Sequence, residues 1–278
     1  MLNTSDFINR AALCIGADPE FFVKKGDTFV SGHAFPCGSK TAPRKTAHGA
    51  VQNDGVALEV NVPEAFSKAG FILNFRGVVH DLAQIVHNWD KGEAYIVAEP
   101  VATFTEEYMK GLPPVAKDLG CNPDFNAYTM DVTPTPNSAV QFRTGAGHLH
   151  LGWTEDAEGM EHFQKCATLV KQLDFTVGLR TLLFDTDGRR RSLYGKAGAF
   201  RHKPYGVEYR VPSNAWCQSE DLAAMMFDGC TQAVEMLNDG IELDKTYPGL
   251  AQKLIDDNKT AWVEEYPKLA DVLGLGDK

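Results

Sequence analysis

Four short segments place an ionisable or strongly polar side chain at every second position. In GADPEFFV, Asp18 and Glu20 alternate with Ala17, Phe21 and Val23. In VALEVNV, Glu59 and Asn61 alternate with Leu58, Val60 and Val62. In HLHLGW, His148 and His150 alternate with Leu149, Leu151 and Trp153, and in GVEYRV, Glu208 and Arg210 alternate with Val207, Tyr209 and Val211. Successive side chains of a strand point to opposite faces. Each segment therefore reads as a strand with one apolar face and one face of carboxylate, imidazole or guanidinium. The outer face of a half-solvated antiparallel sheet is also polar. Such a face usually carries Lys, Thr, Ser and Gln, whereas these carry Asp, Glu, His and Arg. In GAGHLHLG the strand is bounded by glycines, which permits close approach of backbone or ligand.

Carboxylates clustered with histidine form an oxygen-rich donor set, which suits Mg²⁺ or Mn²⁺. His148-x-His150 with one carboxylate also fits a catalytic zinc site, and either histidine alone could be a hydrogen-bonded structural residue. Cations are concentrated in one stretch of this acidic chain: Arg189, Arg190, Arg191, Lys196, Arg201, Lys203 and Arg210. The Arg189–Arg191 run reads equally well as a solvated loop. Arg201 and Arg210 lie beside and on the strand that carries Glu208. A carboxylate with a guanidinium two residues on suits polyphosphate bound through a metal. Arg191, Lys196, Arg201 and Arg210 are thus the candidate ATP- and phosphate-binding residues. There is no G-x-x-x-x-G-K-[ST], no G-x-S-x-G and no H-E-x-x-H. Gly145-x-Gly147 lacks a third glycine and precedes a strand, so it is no dinucleotide fingerprint. Any ATP here would sit on an antiparallel sheet.

Amphipathic helices must cover the apolar faces. Phe71, Phe75, Val78, Val79, Leu82, Ile85, Val86 and Trp89 recur at helical spacing, with Gly92 as a stop. Phe163, Cys166, Val170, Leu173 and Val177 mark a second helix. Ser219 reads as the N-cap of a third, with Glu220 and Asp221 in its first turn, and a fourth is expected from about Pro248 to Trp262. Strands are expected over Cys14–Val23, Val56–Val62, Ala94–Phe104, Ala139–Trp153 and Gly206–Val211. Gly32–Asp54 and Cys121–Ser138 read as long irregular connections. Strands and helices mix without strict alternation, so the expected class is α+β with an antiparallel sheet, in one domain spanning 1–278. The 278 residues carry 27 Lys plus Arg against 37 Asp plus Glu, a formal charge of −10. That balance argues against general nucleic-acid binding. No C-x-x-C pair occurs among the 6 Cys, and neither a secretory leader nor a membrane span is legible. The expectation is a reduced, soluble, cytoplasmic protein.

The segments GADPEFFV, VQNDGVALEVNVP, QFRTGAGHLHLGW and FRHKPYGVEYRVPSNAW, in this order, resemble the phage-encoded COOH-NH2 ligases of type 2. The resemblance implies a glutamine-synthetase-like curved antiparallel sheet with helices packed on its outer face. It implies that Asp18, Glu20, Glu59, His148 or His150, and Glu208 hold catalytic metals, Mg²⁺ or Mn²⁺. It further implies that Arg201 and Arg210 bind the transferred phosphate, so that Arg201, Glu208 and Arg210 form the catalytic set. Gly38-x-Lys40-x-x-Pro43 also fits, with no role for Lys40. The implied activity is ATP-dependent amide or isopeptide formation through an acyl phosphate. Its partners would be small-molecule or peptide carboxylates and amines, in the host cytoplasm if the protein is phage-encoded, and homo-oligomer formation is left open. Two other readings stay open: a metal-dependent hydrolase using His-x-His and a carboxylate, and a non-enzymatic phage protein that retains the fold.

Overall fold

The computed structural model describes residues 6–117, 124–133 and 142–276. It is an α+β structure built on one large antiparallel sheet, thirteen-stranded among the described residues. The strands that matter for the site lie side by side in the order Ala199–Lys203, Gly206–Tyr209, Leu149–Gly152, Cys14–Ala17, Ala57–Ala65 and Ala50–Asp54. Strand Glu20–Lys25 continues Cys14–Ala17 past Asp18 and Pro19, and both halves pair with Ala57–Ala65.

The alternation read from sequence divides the sheet as expected. Ile15, Ala17, Phe21, Leu58, Val60, Val62, Leu149, Leu151, Val207 and Tyr209 are buried together in one hydrophobic cluster. Helices Lys68–Trp89, Gly159–Leu173 and Glu220–Asn238 join that cluster through Phe71, Phe75, Val78, Leu82, Cys166, Val170, Met226 and Cys230. The first packs on strand Ala57–Ala65 and the second on Ala199–Lys203 and Gly206–Tyr209. Ser219 caps the third, its hydroxyl accepting from the Leu222 N–H. Apolar burial at roughly 25 cal/mol per Å² makes this layer the main source of stability.

Several connections are more structured than their composition suggests. Gly32–Asp54 contains a helical turn, Gly32–Ala34, and the strands Gly38–Ser39, Ala42–Lys45 and Ala50–Asp54. Within Cys121–Ser138, the described residues form a hairpin of Asp124–Asn126 with Val132–Thr133; Cys121 and residues 139–141 lie outside the described residues. Ala94–Phe104 splits into Ala94–Val97 and Val101–Thr103, because Pro100 has no N–H for a ladder. The helix expected over Pro248–Trp262 breaks into Leu250–Asp256 and Trp262–Glu265. At the break Asn258 has φ 51°, a left-handed conformation that asparagine tolerates. The arginine run is a short helix, Arg189–Leu193, with Arg190 and Arg191 buried rather than solvated.

Phe71 is fully buried, with its ring 6.2 Å from Trp216 and 5.8 Å from Phe227. Phe71→Ala should lower unfolding free energy by about 3–5 kcal/mol. A urea melt would check this, and a shift under 1 kcal/mol would show that the helix layer does not depend on that contact.

Candidate functional site

The ionisable side chains gather on the sheet face opposite the helices. Registry aligns them in two rows. In one, Arg201 pairs with Glu208, Glu208 with His150, and His150 with Gly16. In the other, Glu20 pairs with Glu59 and Glu59 with Gln52. Asp18 sits between the two rows at the junction of its two strands.

Glu208 is the buried centre of the first row, 1% exposed. Its Oε1 lies 3.3 Å from Arg201 Nη1, its Oε2 lies 2.8 Å from Lys203 Nζ, and Arg210 Nη1 donates to Oε1. Arg210 also reaches Asp124 at 3.3 Å, and its guanidinium lies over the Tyr194 ring at 5.1 Å. Beside the row, His148 Nδ1 is 3.3 Å from Asp18 Oδ1 and 3.6 Å from Glu208 Oε1. His150 Nε2 is 3.2 Å from Asp18 Oδ2. Burial, then the charge of Arg210, pushes His148 down to about 3, so its imidazole is neutral. Burial opposes charge on His150 too, but Asp18 prevails and raises it. Burial likewise opposes charge on Asp18, yet His150 and His148 hold its carboxyl well below the usual range.

The second row is short of cations. Glu59 accepts from Gln52 Nε2 at 2.6 Å, Glu20 Oε2 accepts the Ala146 N–H at 2.9 Å, and Lys40 Nζ is 2.9 Å from Asp54. Burial, then the charge of Asp54, pushes Glu20 up to about 8. Burial, then Asp18, Glu20 and Asp54, raises Glu59. Like charges sharing a buried site disfavour their own ionisation.

Two sets of donors could hold a divalent cation: Asp18, His148 and Glu208, and Glu20, Asp54 and Glu59, each with ligand atoms within 4.8 Å of one another. His148 Nε2 is buried without a hydrogen-bond partner among the described residues. Five carboxylates and one imidazole match Mg²⁺ or Mn²⁺ better than a soft-ligand metal. The raised Glu20 and Glu59 are what such a site shows when cations are too few, so the residues fit the group.

The loops that hold these residues are tightly bound to one another. Trp216 Nε1 donates to Gly147 O at 3.0 Å, and Asn214 Nδ2 donates to Glu20 O at 2.8 Å. A Cβ on Gly147 would lie 2.3 Å from Ser213 O. The close approach anticipated at the GAG motif is therefore one of protein to protein, by the Ser213 backbone and the Asn214 and Trp216 side chains. Fully buried Arg190 donates to Val211 O at 2.7 Å and Pro212 O at 3.0 Å, fixing the chain just after Arg210.

Asp18, Glu20, Glu59, His148, His150, Arg201, Glu208 and Arg210 thus share one region. Arg191 does not join them: its guanidinium is buried against Asn258 at 2.6 Å and Asp185 at 3.4 Å. Lys196 is exposed and lies near Asp256, not near the carboxylates. Three participants were not singled out from sequence, Asp54, Asp124 and Gln52, and Lys203 was named in the cation-rich stretch without a site role. Lys203 follows Arg201 by two in a strand, and Asp54 follows Gln52 by two, so alternation could have placed both. Asp124 carries no such signal.

Residues 128–240 match the phage phiEco32-like COOH.NH2 ligase-type 2 family. The matched stretch contains His148, His150, Arg201, Lys203, Glu208 and Arg210, so the cation-rich half of the site falls inside the ligase family's own region. Asp18, Glu20, Asp54 and Glu59 precede it. A solved structure titled "Apo GmaS without ligand" is similar over 95% of this chain and 72% of its own, at 13% identity and a TM-score of 0.38. No curated protein matches the chain.

The raised carboxylates predict how the metal-free protein responds to pH. A folded Glu20 at about 8 binds a proton that the unfolded chain, near 4.3, has released. Stability is then lost as pH rises toward 8. Glu59 and the raised His150 act in the same direction. His148 acts oppositely, but only as pH falls through its unfolded value of 6.5. Urea midpoints of metal-free protein should therefore fall between about pH 6.5 and 8, and Mg²⁺ or Mn²⁺ should flatten that slope. A midpoint that climbs over this interval would contradict the crowding of Glu20, Asp54 and Glu59.

Proposed function

We propose that the protein is an ATP-dependent amidoligase that joins a carboxylate to an amine through an acyl phosphate. One observation carries the reading. Three cations, Arg201, Lys203 and Arg210, converge on a single buried carboxylate, Glu208, beside two metal-type donor sets. Donors gathered at one point in this way suit an incoming phosphate. A hydrolase reading gives these three cations no work. The match of residues 128–240 to a ligase family supports the same choice.

The chemistry asked of these residues is as follows. A carboxylate oxygen of the substrate attacks Pγ of ATP, the bond from Pγ to the bridging oxygen breaks, and ADP leaves. Arg210 and Arg201 offer planar donor pairs to the transferring phosphoryl oxygens, and Lys203 adds a point charge. Mg²⁺ or Mn²⁺ held by Asp18, His148 and Glu208 and by Glu20, Asp54 and Glu59 would supply further neutralisation of phosphate charge. The amine, having lost one proton from its ammonium form, then attacks the acyl carbon, inorganic phosphate leaves, and a second amine proton passes to a base. His150 with Asp18 is placed to accept it. Tyr194, over Arg210, and the Arg190-bound 210–212 segment keep the guanidinium oriented.

With Mg²⁺, ATP and pools of carboxylates and amines, ADP should be released in proportion to a condensed product seen as loss of water by mass spectrometry. Arg210→Lys should lower turnover by ~10²-fold or more, because it keeps the charge but loses the two-pronged donor. ADP release that stays at background with every pool, or wild-type turnover in the lysine variant, would refute this assignment.

A further inference from the structure

A cavity of about 660 Å³ lies against Asp18, His150 and Gly16, at the end of the row opposite Arg201. Its floor is small and apolar, including Ala17, Val62 and Gly152, and its walls carry the rings of Phe66, Trp153 and Tyr205. Glu64 and Glu155 line it as well, and neither is in an ion pair among the described residues. Among the described residues no Lys or Arg lines it. Phe66 is 69% exposed, a large aromatic surface with nothing packed over it to explain its position. The wall is tied to the site: Tyr205 Oη is 2.5 Å from His150 Nδ1, and His150 Nε2 is 3.2 Å from Asp18.

Unpaired carboxylates, aromatic faces and an apolar floor select one chemistry. Carboxylates and ring faces both attract a cation, and the floor accepts methylenes. The same carboxylates repel a carboxylate substrate and ATP, whose charges are drawn to Arg201, Lys203 and Arg210 instead. The geometry points to this cavity as the binding site for an aliphatic primary ammonium compound, the amine substrate of the ligation, with its chain along the floor and its nitrogen delivered past Tyr205 to His150 and Asp18. This rests on the amidoligase reading for the fate of the amine, but not for its binding.

Calorimetric titration of the full chain with Mg²⁺ tests the binding directly. 1,5-Diaminopentane or Nα-acetyl-lysine amide should bind saturably, while 1,5-pentanediol and glutarate should not. The tighter of the two amines tells a free diamine from a lysine side chain. The double variant Glu64→Gln/Glu155→Gln, both exposed positions, should melt like wild type and bind the amine about tenfold more weakly, the sum of two surface ion pairs. Its KM for amine in ADP release should rise by the same factor, with kcat unchanged. Amine binding without any ADP release would keep the pocket and remove the ligase reading. Amine-dependent ADP release with an unchanged KM in the double variant would keep the ligase and overturn the pocket, as would failure of both amines to bind.

Discussion

Carboxylates brought this close on one sheet face repel each other, and the design of the molecule follows from how that repulsion is offset. Around Glu208 it is offset by protein cations, since Arg201, Lys203 and Arg210 all reach it. Around Glu20, Asp54 and Glu59 the protein supplies Lys40, which contacts Asp54, so Glu20 and Glu59 favour their protonated forms. The two halves of the face are therefore unequal: one is matched by protein cations and the other is left with a deficit of them. A deficit of that kind costs folding free energy unless a bound cation removes it.

Holding such a face open requires that its support come from behind and from the side. Behind it, Tyr209 lies between Glu208 and Arg210 in sequence and points into the core, where its hydroxyl donates to Asp174 at 2.7 Å. Tyr128 donates to the same carboxyl at 2.9 Å. The π-helical turn Asp174–Gly178 places that carboxyl beneath the strand. At the side, Arg190 spends its donors on backbone carbonyls of Val211 and Pro212. Its Nε finds no hydrogen-bond partner among the described residues, but the Nη1 and Nη2 bonds fix the chain that carries Arg210. Rigid placement of donors is what transition-state stabilisation needs, since reorganisation during reaction forfeits most of the gain.

The alternation of residues 17–23, 58–62, 148–153 and 207–211 carried most of the legible information. A period of two, with one side wholly apolar, can be packed in only one orientation under amphipathic helices, so the shared ionisable face followed from it. The helix over Lys68–Trp89 and the Ser219 cap were readable for the same reason: local spacing and local chemistry decide them. What was hidden depended on distant partners. Arg190 and Arg191 look like surface cations until Val211, Pro212, Asp185 and Asn258 are brought to them by the fold. Gly32–Asp54 looks irregular because its strands are two to five residues long, too short for a period to register. Asp124 meets Arg210 across 86 positions, and no spacing rule reaches that far.

The polarity of the face then orders the events that can occur on it. Phosphate charge is drawn to Arg201, Lys203 and Arg210, while the Glu64–Glu155 cavity attracts positive charge, and Asp18 with His150 stands between them. Coulomb attraction over such distances is screened in open water but persists beside a low-dielectric sheet. On the amidoligase reading, two substrates of opposite charge would be sorted to opposite sides of one carboxylate–imidazole pair. Such sorting would also keep an amine from its own salt with a carboxylate substrate, because each would be held by a partner of opposite sign before they meet. An amine held as ammonium is not a nucleophile, so the boundary between the two regions must also be where its proton is lost. His150, hydrogen-bonded to Tyr205 on the cavity side and paired with Asp18 on the other, occupies that boundary.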